Sequence, residues 1–272
     1  MNPRSFLIRG LLAGIVAGLL SFAVGYFVSE PQVDAAIAVE EAGSAPADHD
    51  ADDPTAEHSH DEEATAGGHS HGEDGGTVVS RQNQASWGLL TGTLAVGAAL
   101  GGIIGVASAF AVGRLGRLRP AASTALVAAI GFVAVTFVPF LKYPATPPAV
   151  GEADTIGTRT TVYFVLLAIS LVAAVAAVLL GRRLLADRGA YQAIVISGLA
   201  YLVVIIVAVA LLPTVNEIGD FPADTLWYFR RASLLTLGTM WLTIGVVLAG
   251  LVEALHRRES STQARRDFAA SL

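Results

Sequence analysis

Six stretches of the chain are long and apolar enough to cross a membrane, and polar segments separate them. About 20 helical residues cross roughly 30 Å of hydrocarbon, and each stretch meets that length. Their only Asp, Glu, Lys or Arg residues are Arg9 and Glu253, both close to an end of a stretch. Since a segment of this length satisfies its own backbone groups in lipid only as a helix, the pattern predicts an all-α integral membrane protein with six transmembrane helices. The stretches are 6–28, 87–112, 121–141, 160–180, 190–212 and 232–255.

Basic residues are distributed unevenly between the two sides of these helices. If successive helices alternate in direction, twelve Arg residues fall on the side of the two termini and five basic residues fall on the other side. Cytoplasmic loops carry the excess of Lys and Arg, so both termini are predicted to be cytoplasmic. The four parts of the chain are then a first transmembrane helix (1–29), an extracytoplasmic loop (30–86), a five-helix membrane bundle (87–256) and a cytoplasmic tail (257–272).

The first stretch has a second interpretation, as a cleavable signal peptide. Arg4 and Arg9 precede an apolar run, and Ala36-Ile37-Ala38 resembles a cleavage site. The apolar run is longer than a usual signal core, which favours a retained helix. Both interpretations place the following loop outside.

The long outer loop contains a tract, residues 49–74, that is rich in His and in carboxylates. It holds five of the six histidines, and two pairs have the spacing His-x-His. From Glu30 to Ser80 there are fourteen carboxylates and no Lys or Arg, whereas the whole chain has a net charge of only −6. Borderline and hard divalent cations prefer imidazole nitrogen and carboxylate oxygen as ligands. The candidate metal ligands are His49, His58, His60, Asp61, Glu62, His69 and His71.

This composition predicts a disordered loop that gathers ions loosely and exchanges them quickly. Low hydrophobicity and high charge disfavour a packed core. The chain has no Cys, so thiolate sites are excluded, and Co²⁺, Ni²⁺, Zn²⁺ and Cu²⁺ all remain compatible with the tract. The alternative is a solvated acidic linker with incidental histidines. The clustering of five histidines in 23 residues favours metal binding.

Several other activities are disfavoured. The chain has no G-x-x-x-x-G-K-[ST] phosphate loop and no H-E-x-x-H metalloprotease motif, and no catalytic set is recognisable in the spans. We therefore expect no enzyme. The acidic loop also argues against nucleic acid as a partner, because phosphate binding requires a basic face. The expected partner is membrane lipid, and the sequence leaves homo-oligomers open.

Glycines recur every four residues in the first two stretches. Small residues at this spacing let helix backbones approach closely. The contact could be with a partner subunit or within this chain's own bundle, where the first two spans would pack on each other. The glycines are Gly10, Gly14, Gly18, Gly97, Gly101 and Gly105.

The last four spans resemble two copies of one hairpin. Each outer loop contains Ala-Asp-Thr followed by an apolar residue, at 153–156 and 223–226, and an Arg soon after, Arg159 or Arg230. Transporters often contain such repeats. The aspartates are expected to cap helices, whereas the arginines either snorkel to the interface or act in function. Asn216, Glu217 and Asp220 offer further oxygen ligands at the outer rim.

Two segments carry a family resemblance. Residues 137–151, FVPFLKYPATPPAVG, with Arg159 shortly after, resemble the first outer loop of the CbtA family of predicted cobalt transporter subunits. The segments 211–213, 221–223 and 226–230 are similar to its second. This chain departs from many members after Arg159, where it has Thr-Thr-Val-Tyr-Phe instead of a Gln and paired Trp. The resemblance implies cobalt uptake linked to cobalamin synthesis in a bacterial inner (plasma) membrane, with a small single-span partner, CbtB.

These observations lead to one main hypothesis: a membrane subunit of a divalent-metal uptake transporter, with Co²⁺ favoured, whose outer loop captures the ion. One alternative is a non-transporting metal sensor or scaffold. Another is a nickel or zinc permease, for which Ni²⁺ or Zn²⁺ would be the cargo. Because the spans hold so few ionisable groups, the chain alone is under-equipped to drive transport, and a partner subunit or a passive gradient is expected.

Overall fold

The computed structural model describes residues 2–44, 79–116, 118–148 and 150–271, and this part of the chain is helical with no strand. Three π-helical turns, Gly25–Ser29, Gln84–Gly88 and Phe132–Phe137, join successive helices. Five of the resulting continuous helices are long and apolar enough to span a membrane. The α-helices are α1 (Pro3–Val24), α2 (Glu30–Ser44), α3 (Arg81–Asn83), α4 (Leu89–Ala111), α5 (Pro120–Gly131), α6 (Val138–Lys142), α7 (Ile156–Leu211) and α8 (Ala223–Ala270).

Helices α1 and α4 pack antiparallel with their backbones in direct contact. A Cβ atom added at Gly10 would collide with the carbonyl oxygen of Gly101, and one at Gly14 with that of Gly97. A Cβ at Gly18 would lie 2.7 Å from the carbonyl oxygen of Thr93. Such an approach is open only to residues without a side chain. Of the two interpretations of the glycine spacing, the one within this chain's own bundle is therefore confirmed.

Helix α8 lies against α1 and α5 and completes the buried core. Trp241, Ile244 and Leu248 are among its buried side chains, and they cluster with Phe6 of α1. The indole nitrogen of Trp241 donates a 2.8 Å hydrogen bond to the hydroxyl of Thr136. In a buried setting this bond satisfies the one polar atom of the indole, which would otherwise be costly to bury.

Helix α7 is 56 residues long and doubles back on itself at Gly189. That residue has φ 78° and ψ 171°, a conformation that glycine adopts without a Cβ penalty. On either side of it the two halves are in contact, since the hydroxyls of Ser170 and Tyr201 lie 2.8 Å apart. The two predicted spans 160–180 and 190–212 are these two halves. A single straight helix of this length would measure about 84 Å, far more than one bilayer crossing needs.

The bundle has two ends of different character. The loop end comprises residues 143–155 and 212–222. The start of α8 lies there, and the hydroxyls of Ser29 and Thr236, 2.9 Å apart, bring the start of α2 alongside it. The opposite, arginine end carries residues 112–119 and the turn of α7.

Two segments are more helical than the sequence suggests. Residues 30–44 continue the first span as α2, although they were expected to belong to a disordered loop, and Ala36 of α2 is fully buried. Helix α2 contacts α8, which gives it a packing face that hydropathy alone does not reveal. At the other terminus, α8 continues through the expected tail as far as Ala270.

The expectation that Asp154 and Asp224 cap helices is wrong. The N-cap positions of α7 and α8 are Thr155 and Pro222, and neither has a side-chain cap hydrogen bond. Asp224 lies in the first turn of α8. There its charge is favourable to the helix dipole without a specific capping contact.

The glycine contact predicts how single alanine substitutions affect stability. We expect Gly14→Ala to destabilise the protein by about 1–3 kcal/mol, the usual cost of overpacking, because the backbones of α1 and α4 must separate. Gly92→Ala on α4 is the matched control, since nothing lies within 4 Å of its added Cβ. Thermal unfolding in detergent measures both variants. If the Gly14→Ala and Gly92→Ala variants were equally stable, the close approach of the α1 and α4 backbones would not contribute to stability as we expect.

Candidate functional site

The seven candidate metal ligands, from His49 to His71, lie outside the described residues. Within the described ranges, no group of three or more His, Asp or Glu residues is placed to hold a metal ion. The described part of the chain therefore supplies two other polar features: an ion-pair cluster at the two flanks of the tract, and a pocket at the loop end.

The flanks of the tract are joined by an ion-pair cluster. Arg81, at the start of α3, donates from one terminal nitrogen to the carboxylates of Glu30 and Asp34 on α2. The Asp34 contact measures 2.9 Å. The glutamate side chain is only 15% exposed, so this pair is better shielded from water than an ordinary surface ion pair. The chain on either side of the tract is thus held together at one place on the bundle.

The pocket at the loop end has a volume of about 430 Å³, which is within the range of small-molecule sites. Its walls come from both hairpin repeats: residues 142–164 form one side, and residues 215–230 form the other. Apolar and aromatic side chains cover much of the surface, and four charged side chains line it. The charged residues are Lys142, Arg159, Glu217 and Arg230.

Hydrogen bonds between the two loops hold the pocket in shape. The ammonium group of Lys142 donates to the hydroxyl of Thr214 at 2.9 Å, and the hydroxyl of Tyr143 donates to the carbonyl oxygen of Pro213 at 2.8 Å. Burial raises the pKa of Tyr143, which favours the protonated form that donates this bond. The contacts join residues 70 or more positions apart, so the pocket is a product of the tertiary fold.

One ion pair lies at the centre of the pocket. The Nε atom of Arg159 is 3.4 Å from a carboxylate oxygen of Glu217, and the arginine also donates to the carbonyl oxygen of Glu152 at 3.0 Å. Its guanidinium lies directly against Gly151, where a Cβ would meet it. Gly151 has φ 103°, so both its backbone conformation and the space around it require glycine.

The same carboxylate of Glu217 accepts a 2.8 Å bond from the hydroxyl of Thr155 and a 3.1 Å bond from the backbone N–H of Glu152. The bond from Thr155 lowers the pKa of Glu217 most, and the backbone N–H and the charge of Arg159 lower it further. The sequence suggested this glutamate, with Asn216 and Asp220, as a source of oxygen ligands at the outer rim. One of its carboxylate oxygens organises the pocket, since it accepts the bonds from Thr155 and Glu152 and pairs with Arg159.

Inside the membrane-spanning part, polar contacts are made by hydroxyls. Besides the bonds already described for α7 and Trp241, Ser21 of α1 donates to the carbonyl oxygen of Thr236 at 3.4 Å. Ser108 and Ser123 are buried with no described hydrogen-bond partner. No continuous polar path across the bundle follows from these separate contacts.

Sequence reasoning left the roles of Arg159 and Arg230 open and did not foresee a pocket. The structure brings both arginines into it: Arg230 donates from Nε to the carbonyl oxygen of Ala145 at 3.4 Å. The available signal was the repeated Ala-Asp-Thr, followed by an Arg four residues after Thr155 and five residues after Thr225, because binding sites of such proteins tend to lie between the repeats.

The depressed pKa of Glu217 gives a pH-dependent stability. A carboxylate whose folded pKa is below its unfolded pKa contributes stability above the unfolded value and loses it as the pH falls through the folded one. We therefore expect Glu217→Gln to lower the melting temperature at pH 7 and to have little effect at pH 3. The matched control is Asp220→Asn in the same loop, which should show no such difference. A pH-independent effect of Glu217→Gln would contradict this role.

Comparison with known proteins identifies one family. The family model described as "Probable cobalt transporter subunit (CbtA)" matches residues 3–253, nearly the whole chain. No curated protein and no solved structure matches. The matched range contains the helical bundle, the tract and the pocket. The chain therefore belongs to the CbtA family of probable cobalt transporter subunits, which is a transport family and not an enzyme family.

Proposed function

We propose that this multi-pass membrane protein is the membrane subunit of a cobalt uptake transporter, and that residues 49–74 capture the ion outside the cell. The family match is the observation that carries the transport role. The metal-capture role rests on the ligand chemistry of the tract, since imidazoles and carboxylates are concentrated there. Co²⁺ is the favoured cargo, and the bacterial plasma membrane is the proposed location.

The proposed topology has six crossings with both termini in the cytoplasm. Its support is the reversal of α7 at Gly189, because the two halves run back alongside each other. A Cβ added at Gly116 would lie 3.7 Å from Leu185, which associates the turn of α7 with the arginine end. The excess of arginines at that end favours the cytoplasmic side. Helix α1 supplies Phe6, Ala13 and Ala17 to the core, which favours its retention over cleavage as a signal peptide.

Capture by the tract would depend on the outside pH. Metal ligation requires neutral imidazole, and an unperturbed histidine has a pKa of about 6.5, so capture should weaken as the medium becomes more acidic than this. Because the flanks of the tract meet at Arg81, captured ions would be released beside the loop end of the bundle. A partner is expected as well, since the family consists of subunits; we propose a small single-span protein of CbtB type.

A non-transporting metal sensor is the second candidate. The buried, hydroxyl-only polar contacts of the bundle favour it, because they do not by themselves form a pathway. Flux distinguishes the candidates: a transporter subunit moves Co²⁺ into vesicles when its partner is present, whereas a sensor does not.

The capture role predicts an effect at scarce metal. We expect replacement of His49, His58, His60, His69 and His71 by Gln to raise the Co²⁺ concentration for half-maximal uptake by about tenfold, equivalent to about 1.4 kcal/mol. The maximal rate should be unchanged. Uptake of ⁵⁷Co²⁺ by cells with the partner present provides the measurement, and Ni²⁺ and Zn²⁺ competition tests the cargo. His256→Gln is the control, and unchanged uptake at every concentration would remove the capture role.

The topology predicts the labelling of introduced cysteines, and the chain offers no background because it has no Cys. A membrane-impermeant maleimide applied to intact cells should label Thr65→Cys, in the outer loop. It should label Ala186→Cys, beside the turn of α7, only after the cells are opened. If intact cells were labelled at both sites, the turn of α7 would lie outside the cell, and the proposed topology would be wrong.

A further inference from the structure

The charge of the loop-end pocket does not suit a bare divalent cation. Lys142, Arg159 and Arg230 line it, and Glu217 is the only carboxylate among its lining residues. That carboxylate is already bonded to Thr155 and to the backbone of Glu152, and it pairs with Arg159. Among the lining residues, positive charges therefore exceed negative charges by two, and an excess of positive groups on the wall of a cleft favours an anionic ligand over a cation.

Two cationic groups of the pocket have hydrogen-bonding capacity left. Lys142 uses one of its three donors on Thr214, and its ammonium lies 5.9 Å from the ring centre of Tyr143. Arg230 makes a single bond, from Nε, so both terminal nitrogens lack partners among the described residues. Terminal guanidinium nitrogens match the geometry of a carboxylate, and an ammonium supplies a second point charge.

The remaining walls limit the ligand further. Ile156 and Phe164 come from α7, and Val215 and Ile218 come from the second loop, so the body of the ligand meets apolar surface. A pocket of about 430 Å³ has room for an organic acid of modest size. An inorganic ion would leave these walls without contact.

We propose that this pocket binds a small organic acid with two or more carboxylates, one held by Arg230 and another by Lys142. Arg159 and Glu217 shape the site and are positioning residues. Such a ligand can arrive free or as the chelating partner of a divalent metal, because a carboxylate that coordinates a metal through one oxygen can still accept hydrogen bonds through the other. Binding is separate from the transport activity proposed above and does not require it.

The proposal is tested by calorimetric titration of the full chain in lipid nanodiscs with citrate. All proteins carry the five His→Gln substitutions in the tract, so that binding of metal there does not contribute. We expect Arg230→Gln and Lys142→Gln each to weaken binding at least tenfold and Lys142→Arg to restore most of it. Arg231→Gln is the matched control: it removes the same charge from the neighbouring residue, which lies over the ring of Tyr228 and does not line the pocket.

Two results would overturn the proposal. No measurable binding of citrate or of its cobalt chelate would overturn the proposal, and so would equal weakening by Arg231→Gln and Arg230→Gln, which would indicate a diffuse charge effect. If the Arg230→Gln variant does not fold, the comparison of Lys142→Gln with Lys142→Arg tests the proposal by itself. Tighter binding of citrate identifies the free acid as the preferred ligand, tighter binding of the chelate identifies the metal complex, and equal affinities show that the site recognises the carboxylates in both forms. The titration measures binding and not flux, so its result holds even if the protein does not transport cobalt.

Discussion

The high cost of placing charge in hydrocarbon determines how this protein is organised. Ionisable groups are confined to the two ends of the bundle, so the helices must associate through shape and through weakly polar contacts. The close approach of α1 and α4 is the strongest example, because it depends on glycines that expose the backbone itself. The hydroxyl pairs add short contacts that do not require buried charge. The ion pairs are left to organise the loop end.

Hydropathy was a sound guide to the helical character of the chain and to the apolar helices. It reports how each segment interacts with lipid, and that information is local in sequence. The glycine spacing correctly predicted the contact between α1 and α4, because a repeat of four residues marks one face of each helix and can be recognised locally in the sequence. The helical extension at 30–44 was missed because its stability comes from packing against α8 and from the ion pairs of Arg81. The pocket was missed because it joins two loops far apart in sequence. The contacts of Glu217 with Thr155 and Arg159 could not be predicted from the sequence, because only the fold brings these residues together.

The loop end combines surfaces of opposite character. The sequence on one side of Arg81 carries a large excess of carboxylates, whereas the pocket between the two repeats carries an excess of positive charge. The described flank of that sequence, at Glu30 and Arg81, lies at the same end of the bundle as the pocket, since Ser29 contacts Thr236 of α8. A cation and an anion can therefore be attracted to the same face by different residues. Under the two proposals made above, the metal would be selected by one set of residues and its carboxylate ligand would be recognised by another.

Helix α8 connects that face to the other side of the molecule without a break. It starts beside the pocket, contributes Arg230 about two turns later, and continues to Ala270. From that arginine to the C-terminal end of the helix the distance is about 60 Å at 1.5 Å per residue. An uninterrupted helix moves as a stiff rod, so a tilt of only about 5° at the pocket would displace the far end by about 5 Å over this length. The wall of the pocket and the C-terminal segment therefore belong to one continuous element, which passes through the buried core at Trp241 and Ile244 on its way between the two faces of the molecule.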